Sequence, residues 1–316
     1  MNDLIKTDYL NNGFVISKPL MDEDSIKTLR EDLDSEFKDH NDGVSINITD
    51  FKNFEVTKKI IQTLNSPEVK NIINDLQKIS KKKVSLLPIL EVHKNYHVNL
   101  KEFHGWHRDA GGEMQHEYCN KILGRDNYLF SKIGIYLQNN SEYGGSIDIV
   151  KKSHKNFSHL KIFLRKIKNI PLRAIMLLHK YLTKFYFFIP ESFFMFLINA
   201  KRLYPQKGSA VFFDSRLIHR GSPISKNKLG EIKYIKGKLQ AVLPKSNDKY
   251  SIYCQFGSTD AVDSYMHDRL KRKGNSKELS IWFKQIKIIE TFDKELSDQM
   301  TQTLNPIKEK YKEYLD

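Results

Sequence analysis

The chain has 316 residues, a formal net charge of +14 at neutral pH, and 40% hydrophobic residues, 11% of the chain being aromatic. That apolar content excludes a wholly disordered chain, and two cysteines, Cys119 and Cys254, exclude a disulfide scaffold and fit a reducing compartment. The first residues carry acids and no apolar stretch, so no signal peptide is expected, and the excess of Lys and Arg comes without any nucleic-acid-binding motif, so no nucleic-acid partner is expected.

In chain order, residues 8–19 read as a strand. Residues 21–38 read as an amphipathic helix opened by acids at its positive end, and Phe54–Leu64 and Ser66–Ser80 as two more, the last with Ser66-Pro67-Glu68 as its start. Val84–His97 is apolar and β-prone, with Pro88 demoting its centre. Residues 118–130 read as a loop over the site, and Gly144-Gly145 as a bulge or a close backbone approach. Residues 155–203 lack strand alternation and carry ten Lys or Arg against one acid, Glu191, among many aromatics. Pro171 and Pro190 cut this segment into helices, and no apolar run reaches the roughly 18 residues needed to span a bilayer. It is expected to be a packed helix pair, a lid, or a peripheral contact with a membrane surface. Residues 263–316 read as a charged helical extension, with an apolar stripe over Ile281–Ile289 that can bury one face. The whole is expected to be one domain, 1–316.

The chemistry is carried by a split motif. His107, Arg108 and Asp109 form an H-x-D triplet followed by Gly111-Gly112, and His219 comes 110 residues after Asp109. In extended backbone, residues i and i+2 point to one side, so His107 and Asp109 converge if this segment is a strand. His219 ends a segment led in by Gly208 and the short apolar run Ala210–Phe213, with Gly221–Pro223 behind it. Two imidazoles and one carboxylate are the ligands of the facial triad that holds ferrous iron by one face, whereas a closed structural zinc site more often uses Cys. Trp106 alternates with His107 and should pack away from the metal; His104 should also face away, and Ser153-His154 should shape a turn.

Four stretches together resemble the phytanoyl-CoA dioxygenase family of Fe(II)/2-oxoglutarate-dependent oxygenases. They are Tyr9–Pro19 with the helix that follows, Phe103–Asp109, Lys132–Gln138 with Gly144–Lys155, and Gly208–Pro223, spread over most of residues 8 to 256. The resemblance implies a mainly β fold, a double-stranded β-helix (jelly-roll, cupin-type) core with N-terminal, inserted and C-terminal helices. It implies that His107, Asp109 and His219 bind Fe(II), with 2-oxoglutarate and O2 as co-substrates. The implied reaction hydroxylates an aliphatic carbon and releases succinate and CO2. Halogenation is disfavoured, because the carboxylate ligand Asp109 is present.

The chain departs from that family at one point. The family places an Arg about ten residues after the second His, where its fork pairs with the far carboxylate of 2-oxoglutarate; here positions 229 and 230 are Leu and Gly, and no Arg lies between Arg220 and Arg269. An insertion over 229–237 moves the anchor to Lys238, which opens the apolar stretch Leu239–Leu243; the alternative is Arg220 turned inward. Lys132 and Tyr136 share one side of a strand and could reach the co-substrate. The basic segment 155–203 favours an anionic substrate, either a small molecule or a lipid-linked one at the inner face of a membrane. The competing reading is a jelly-roll binding or scaffold protein that has lost catalysis, which the displaced anchor supports and the retained triad opposes.

Overall fold

Six antiparallel strands make the main sheet, in the order β1-β8-β5-β12-β3-β2. They are β1 (Phe14–Pro19), β2 (Val44–Asn47), β3 (Val84–Asn95), β5 (Phe130–Tyr136), β8 (Ser209–Asp214) and β12 (Lys249–Ser258). The second layer holds β4 (His97–Asn99), β10 (Ile232–Ile235) and β11 (Lys238–Val242) in one three-stranded sheet, and β6 (Ile147–Val150), β7 (Ala200–Arg202) and β9 (His219–Gly221) in another. The computed structural model describes residues 8–38, 44–95, 97–99, 106–110, 125, 127–143, 146–155, 195–196, 198–222, 232–235, 238–242, 249–267, 269–270 and 277–314.

From β3 onward the chain alternates between the layers: β3 main, β4 second, β5 main, β6 and β7 second, β8 main, β9 to β11 second, β12 main. That path is a double-stranded β-helix, a jelly-roll core, as the sequence implied. The middle strands are buried on both faces, so their alternation is masked in the sequence. Ile133, Ile135, Phe212, Ile252, Cys254 and Phe256 face the helices, while Tyr136, Val211 and Phe213 face the barrel interior.

The helices cover the outer face of the main sheet. In α1 (Glu23–Glu36), Ile26, Leu29 and Leu33 form the buried stripe, and the Asp22 side chain accepts from Ser25 N at 2.7 Å to cap the start. Next come α2 (Phe54–Leu64) and α3 (Pro67–Ser80), then α4 (Thr259–His267), α5 (Lys277–Phe292) and α6 (Lys294–Lys310) after the last strand. Trp282 of α5 is fully buried and stacks on Tyr265 of α4, with ring centroids 6.2 Å apart. Among the described residues, no helix is long and apolar enough to cross a membrane.

Three expectations are corrected. Residues 8–12 are helical rather than strand: Gly13 N donates to Tyr9 O at 2.8 Å and Gly13 has φ +86°, the left-handed closure that ends a helix and lets β1 begin at Phe14. Pro88 does not interrupt β3, because the pairing with β12 shifts register there, so Pro88 sits in a bulge where its missing N–H is not required. The end of the basic segment, Ala200–Arg202, is strand β7 and pairs with β6. Most of the rest of that segment, most of the 118–130 loop, Gly144-Gly145, His104 and Cys119 lie outside the described residues.

A closed ion network ties the second layer together. Asp148 of β6 is fully buried and meets Arg202 of β7 at 2.8 Å, Arg220 of β9 at 2.9 Å, and the Ser222 hydroxyl at 2.8 Å. Arg220 also lies over the Trp106 ring, 4.6 Å from its centroid. Removing the central acid takes the buried carboxylate away from two guanidinium groups. Asp148→Asn should therefore lower unfolding stability by about 3–5 kcal/mol in chemical denaturation. A loss below 1 kcal/mol would show that the network is dispensable.

Candidate metal centre

The two ligand segments are clamped backbone to backbone. His107 N donates to His219 O and His219 N donates to His107 O, both at 2.9 Å, so the two histidines sit opposite one another on neighbouring strands. Just beyond, Ala110 N donates to Ser215 O at 3.0 Å and the chain turns, which brings Asp109 back across both rings. The residue between the ligands is a clamp that sequence reasoning did not single out. Arg108 Nε donates to Arg216 O at 2.7 Å and its Nη2 to Ser153 O at 3.2 Å. Five donors in a rigid fork let one Arg hold two backbone carbonyls.

His107, Asp109 and His219 each offer one ligand atom within 4.8 Å of the others. His107 Nε2 lies 3.6 Å from Asp109 Oδ1, and His219 Nε2 lies 3.6 Å from Asp109 Oδ2. These spacings are too long for hydrogen bonds, and Asp109 Oδ2 is buried without one. A buried carboxylate ringed by nitrogens just out of bonding reach fits an ion at their centre. The protonation states fit too. Burial pushes the Asp109 carboxyl upward, but Lys132 and the two imidazoles outweigh it and hold its pKa at about 2. Burial takes the His219 imidazole down to about 4, so it stays neutral at physiological pH. His219 Nδ1 lies 2.9 Å from Leu217 O; donating there leaves the Nε2 lone pair facing Asp109. His107 is the exposed member of the three and leaves the centre open on one side.

The remaining sequence candidates separate. Lys132 of β5 reaches the centre, with Nζ 3.7 Å from Asp109 Oδ2 and 5.1 Å from the Tyr253 ring centroid. Tyr136 is fully buried on the same side of β5. Arg220 does turn inward, but its guanidinium is held by Asp148. Lys238 opens β11, whose backbone pairs with β10 and β4; its side chain lies outside the described residues. His154 stands apart from the metal cluster, with Nε2 3.2 Å from Leu10 O, and serves the turn, as expected.

Lys249 at the start of β12 was missed by sequence reasoning. Only 9% exposed, its ammonium meets no acid among the described residues, and burial alone lowers its pKa to about 8. The centroid of the Tyr136 ring lies 6.0 Å from its Nζ. Three hydroxyls on the same side, Tyr136 Oη, Ser146 Oγ and Ser251 Oγ, are buried without hydrogen-bond partners, and Ser251 pairs directly with Tyr136 across the sheet. Gly134 makes the space, since a Cβ there would lie 3.0 Å from the Tyr253 ring and 3.2 Å from Tyr136 Oη. The only sequence signal was a Lys opening an apolar strand, which many surface lysines share.

No family model matches the sequence, and no curated protein matches it. Solved structures do align. One is SnoN, a non-heme alpha-ketoglutarate-dependent epimerase from nogalamycin biosynthesis, at 11% identity and TM-score 0.41 over 81% of each chain. A second is EctD from S. alaskensis, solved with 2-oxoglutarate and 5-hydroxyectoine, at 10% identity and TM-score 0.44 over 82% of this chain and 76% of that one. A third is EvdMO1, at 15% identity and TM-score 0.44, covering 80% of this chain and 49% of that one. Similarity this low assigns neither a family nor an activity to the chain.

Cobalt(II) reports on such a centre through its visible absorption. Wild-type protein should bind one equivalent. His219→Ala and Asp109→Ala should each weaken binding by more than the roughly 10–100-fold that loss of an outer partner costs. Unchanged cobalt affinity in both variants would place the metal elsewhere.

Proposed function

We propose that the protein is an Fe(II)- and 2-oxoglutarate-dependent dioxygenase that hydroxylates an aliphatic carbon of a small organic molecule. The observation that carries this reading is the pairing of an open two-histidine, one-carboxylate centre with a separate buried cationic pocket inside the same barrel. A structural metal site has no use for the second feature. The donor set suits ferrous iron, since imidazole and carboxylate together with open positions are what this chemistry needs. When bound, iron and 2-oxoglutarate supply the oxidising power, turning substrate and O2 into hydroxylated product, succinate and CO2.

The residues of the chain have narrower tasks. His107, Asp109 and His219 would hold the ion by one face. Lys249 would neutralise the far carboxylate of 2-oxoglutarate, and Tyr136, Ser146 and Ser251 would donate hydrogen bonds to it. Burial and the neighbouring Tyr253 raise the Tyr136 phenol well above its usual value, so it remains a donor at any working pH. Lys249 thus takes the role first given to Lys238 or Arg220, the latter already neutralised by Asp148. Lys132 would balance Asp109 in the absence of metal and keep that carboxylate from moving. The wall of Phe213, whose ring centroid is 4.7 Å from that of His219, keeps water from the buried side.

In the free protein Lys249 is an ammonium below about pH 8 and a neutral amine above it. An incoming carboxylate is attracted only by the charged form. The affinity for 2-oxoglutarate should therefore be highest below pH 8 and fall as pH rises through that value. Release of labelled CO2 from 2-oxoglutarate, with Fe(II) and O2 present, measures this. Lys249→Met should raise KM for 2-oxoglutarate at least tenfold at pH 7 and flatten its pH dependence. Absence of CO2 release from wild-type protein loaded with iron would leave the binding-protein reading in its place.

A further inference from the structure

Three turns of the chain meet at one corner of the second layer. Val150 of β6 pairs with Ala200 of β7, and just past that pair Lys151 N donates to Asn199 O at 3.1 Å while Asn199 N donates to Phe196 O at 3.0 Å. Lys155 N donates to Lys152 O at 3.1 Å and closes the turn that follows β6. From that turn, Lys155 Nζ donates to Asn11 Oδ1 at 3.0 Å and His154 Nε2 lies 3.2 Å from Leu10 O. Hydrogen bonds therefore join the helical turn 8–12, the turn 151–155 and the turn 196–199 into one continuous piece of surface.

The composition of this corner is unusual in two respects. Lys151, Lys152, Lys155 and, in β7, Lys201 are all exposed, and none of the four makes an ion pair among the described residues. The acid of the corner is Asp8, whose Oδ1 accepts from Asn12 Nδ2 at 3.2 Å. Exposed lysines elsewhere do meet acids, as Lys58 meets Glu55 and Lys310 meets Asp263. Beside the lysines stand apolar groups in water. Phe196 is 78% exposed, the most open of the large apolar side chains among the described residues, and Leu10 is 38% exposed. The backbone adds a separate sign, for Lys152 has φ +60° and Asn199 φ +52°. Asn tolerates the left-handed region, whereas Lys enters it at a cost that Gly would avoid. A lysine standing at such a point is accounted for by a use for its charge.

We propose that this corner docks on an anionic lipid surface, its lysines against headgroup phosphates and Phe196 and Leu10 in the layer between headgroups and acyl chains. Lysine point charges beside apolar side chains match both parts of that interface. The sequence between Lys155 and Met195, the two points where the described chain leaves the corner and returns to it, is of the same kind, basic and rich in Leu, Ile and Phe. A nucleic-acid face would draw on arginine forks, which the corner lacks, and would have no use for an exposed aliphatic group such as Leu10. The proposal is independent of the dioxygenase reading.

The test is cosedimentation of full-length protein with vesicles of phosphatidylcholine containing 30% phosphatidylglycerol, beside vesicles of phosphatidylcholine alone, in low and high salt. The protein should bind the anionic vesicles in low salt, at least tenfold more tightly than the neutral ones, and salt should weaken that binding. One lysine near such a surface is worth roughly fivefold in partitioning. Lys151→Glu with Lys155→Glu should therefore weaken binding tenfold or more, and Phe196→Ser should weaken it as well, with circular dichroism unchanged. Lys152→Gly separates the charge from the fold: it should weaken binding about fivefold without lowering Tm, since Gly takes up the left-handed turn freely. Absence of binding to anionic vesicles in low salt, equal binding to neutral ones, or undiminished binding by the lysine variants would overturn the proposal. So would tighter binding to a short DNA or RNA duplex, lost in the same variants, which would make the corner a nucleic-acid face.

Discussion

The reciprocal backbone pair between His107 and His219 is the constraint on which the rest of the centre depends. Two hydrogen bonds of 2.9 Å fix the relative position of two segments more than a hundred residues apart in sequence, and they place both imidazoles on one side of the second layer. Everything around the pair supports that register. Arg108 ties the first segment to the turn before the second, Ser153 Oγ accepts from Ile218 N at 2.8 Å, and Val150 N donates to Ile218 O at 2.8 Å. Asp109 is then brought to the ion position by the turn alone, without a hydrogen bond of its own on Oδ2. In a centre built this way the two histidines are set by strand pairing, the most rigid part of a β fold, and the carboxylate by the turn that follows.

The buried charges divide into two kinds, and the division separates structure from function. Asp148 with Arg202 and Arg220, and Asp214 with Arg216 at 2.7 Å, are closed pairs in which every charge has a partner in contact. Such pairs hold strands and turns in register. Asp109, with three nitrogens at 3.6–3.7 Å, and Lys249, which meets no acid among the described residues, are open. Leaving a buried charge open is costly, so an open group calls for a ligand that is not part of the chain. Both lie on the same side of β5, Asp109 beside Lys132 and Lys249 beside Tyr136.

Much of this was legible in the sequence, for physical reasons that differ by element. The H-x-D triplet and the distal His could be read because metal chemistry needs particular residue types at particular spacings, but Asp109 reaches the centre from a turn and not through the strand period that the sequence suggested. Helices α1 to α3 could be read because their caps and apolar stripes are local. The helical start at residues 8–12 was hidden because Tyr9 and Leu10 look equally apolar in a strand; only the left-handed Gly13 decides it. Pro88 was misleading because its tolerance comes from a bulge of β3 against β12, which is a non-local fact. Lys249 could not be found at all, since what distinguishes it from other lysines is its burial without an acid among the described residues, a three-dimensional fact. Arg220 does turn inward, but the acid it meets lies 72 residues earlier, beyond the reach of spacing arguments.

The central claim is that one barrel holds iron and 2-oxoglutarate together. The most direct measurement is the visible spectrum of purified protein under nitrogen as Fe(II) and then 2-oxoglutarate are added, with His219→Ala beside it. The account predicts a weak charge-transfer band that requires both additions and is absent in the variant. A wild-type protein that binds iron through this triad yet shows no band with 2-oxoglutarate would contradict it.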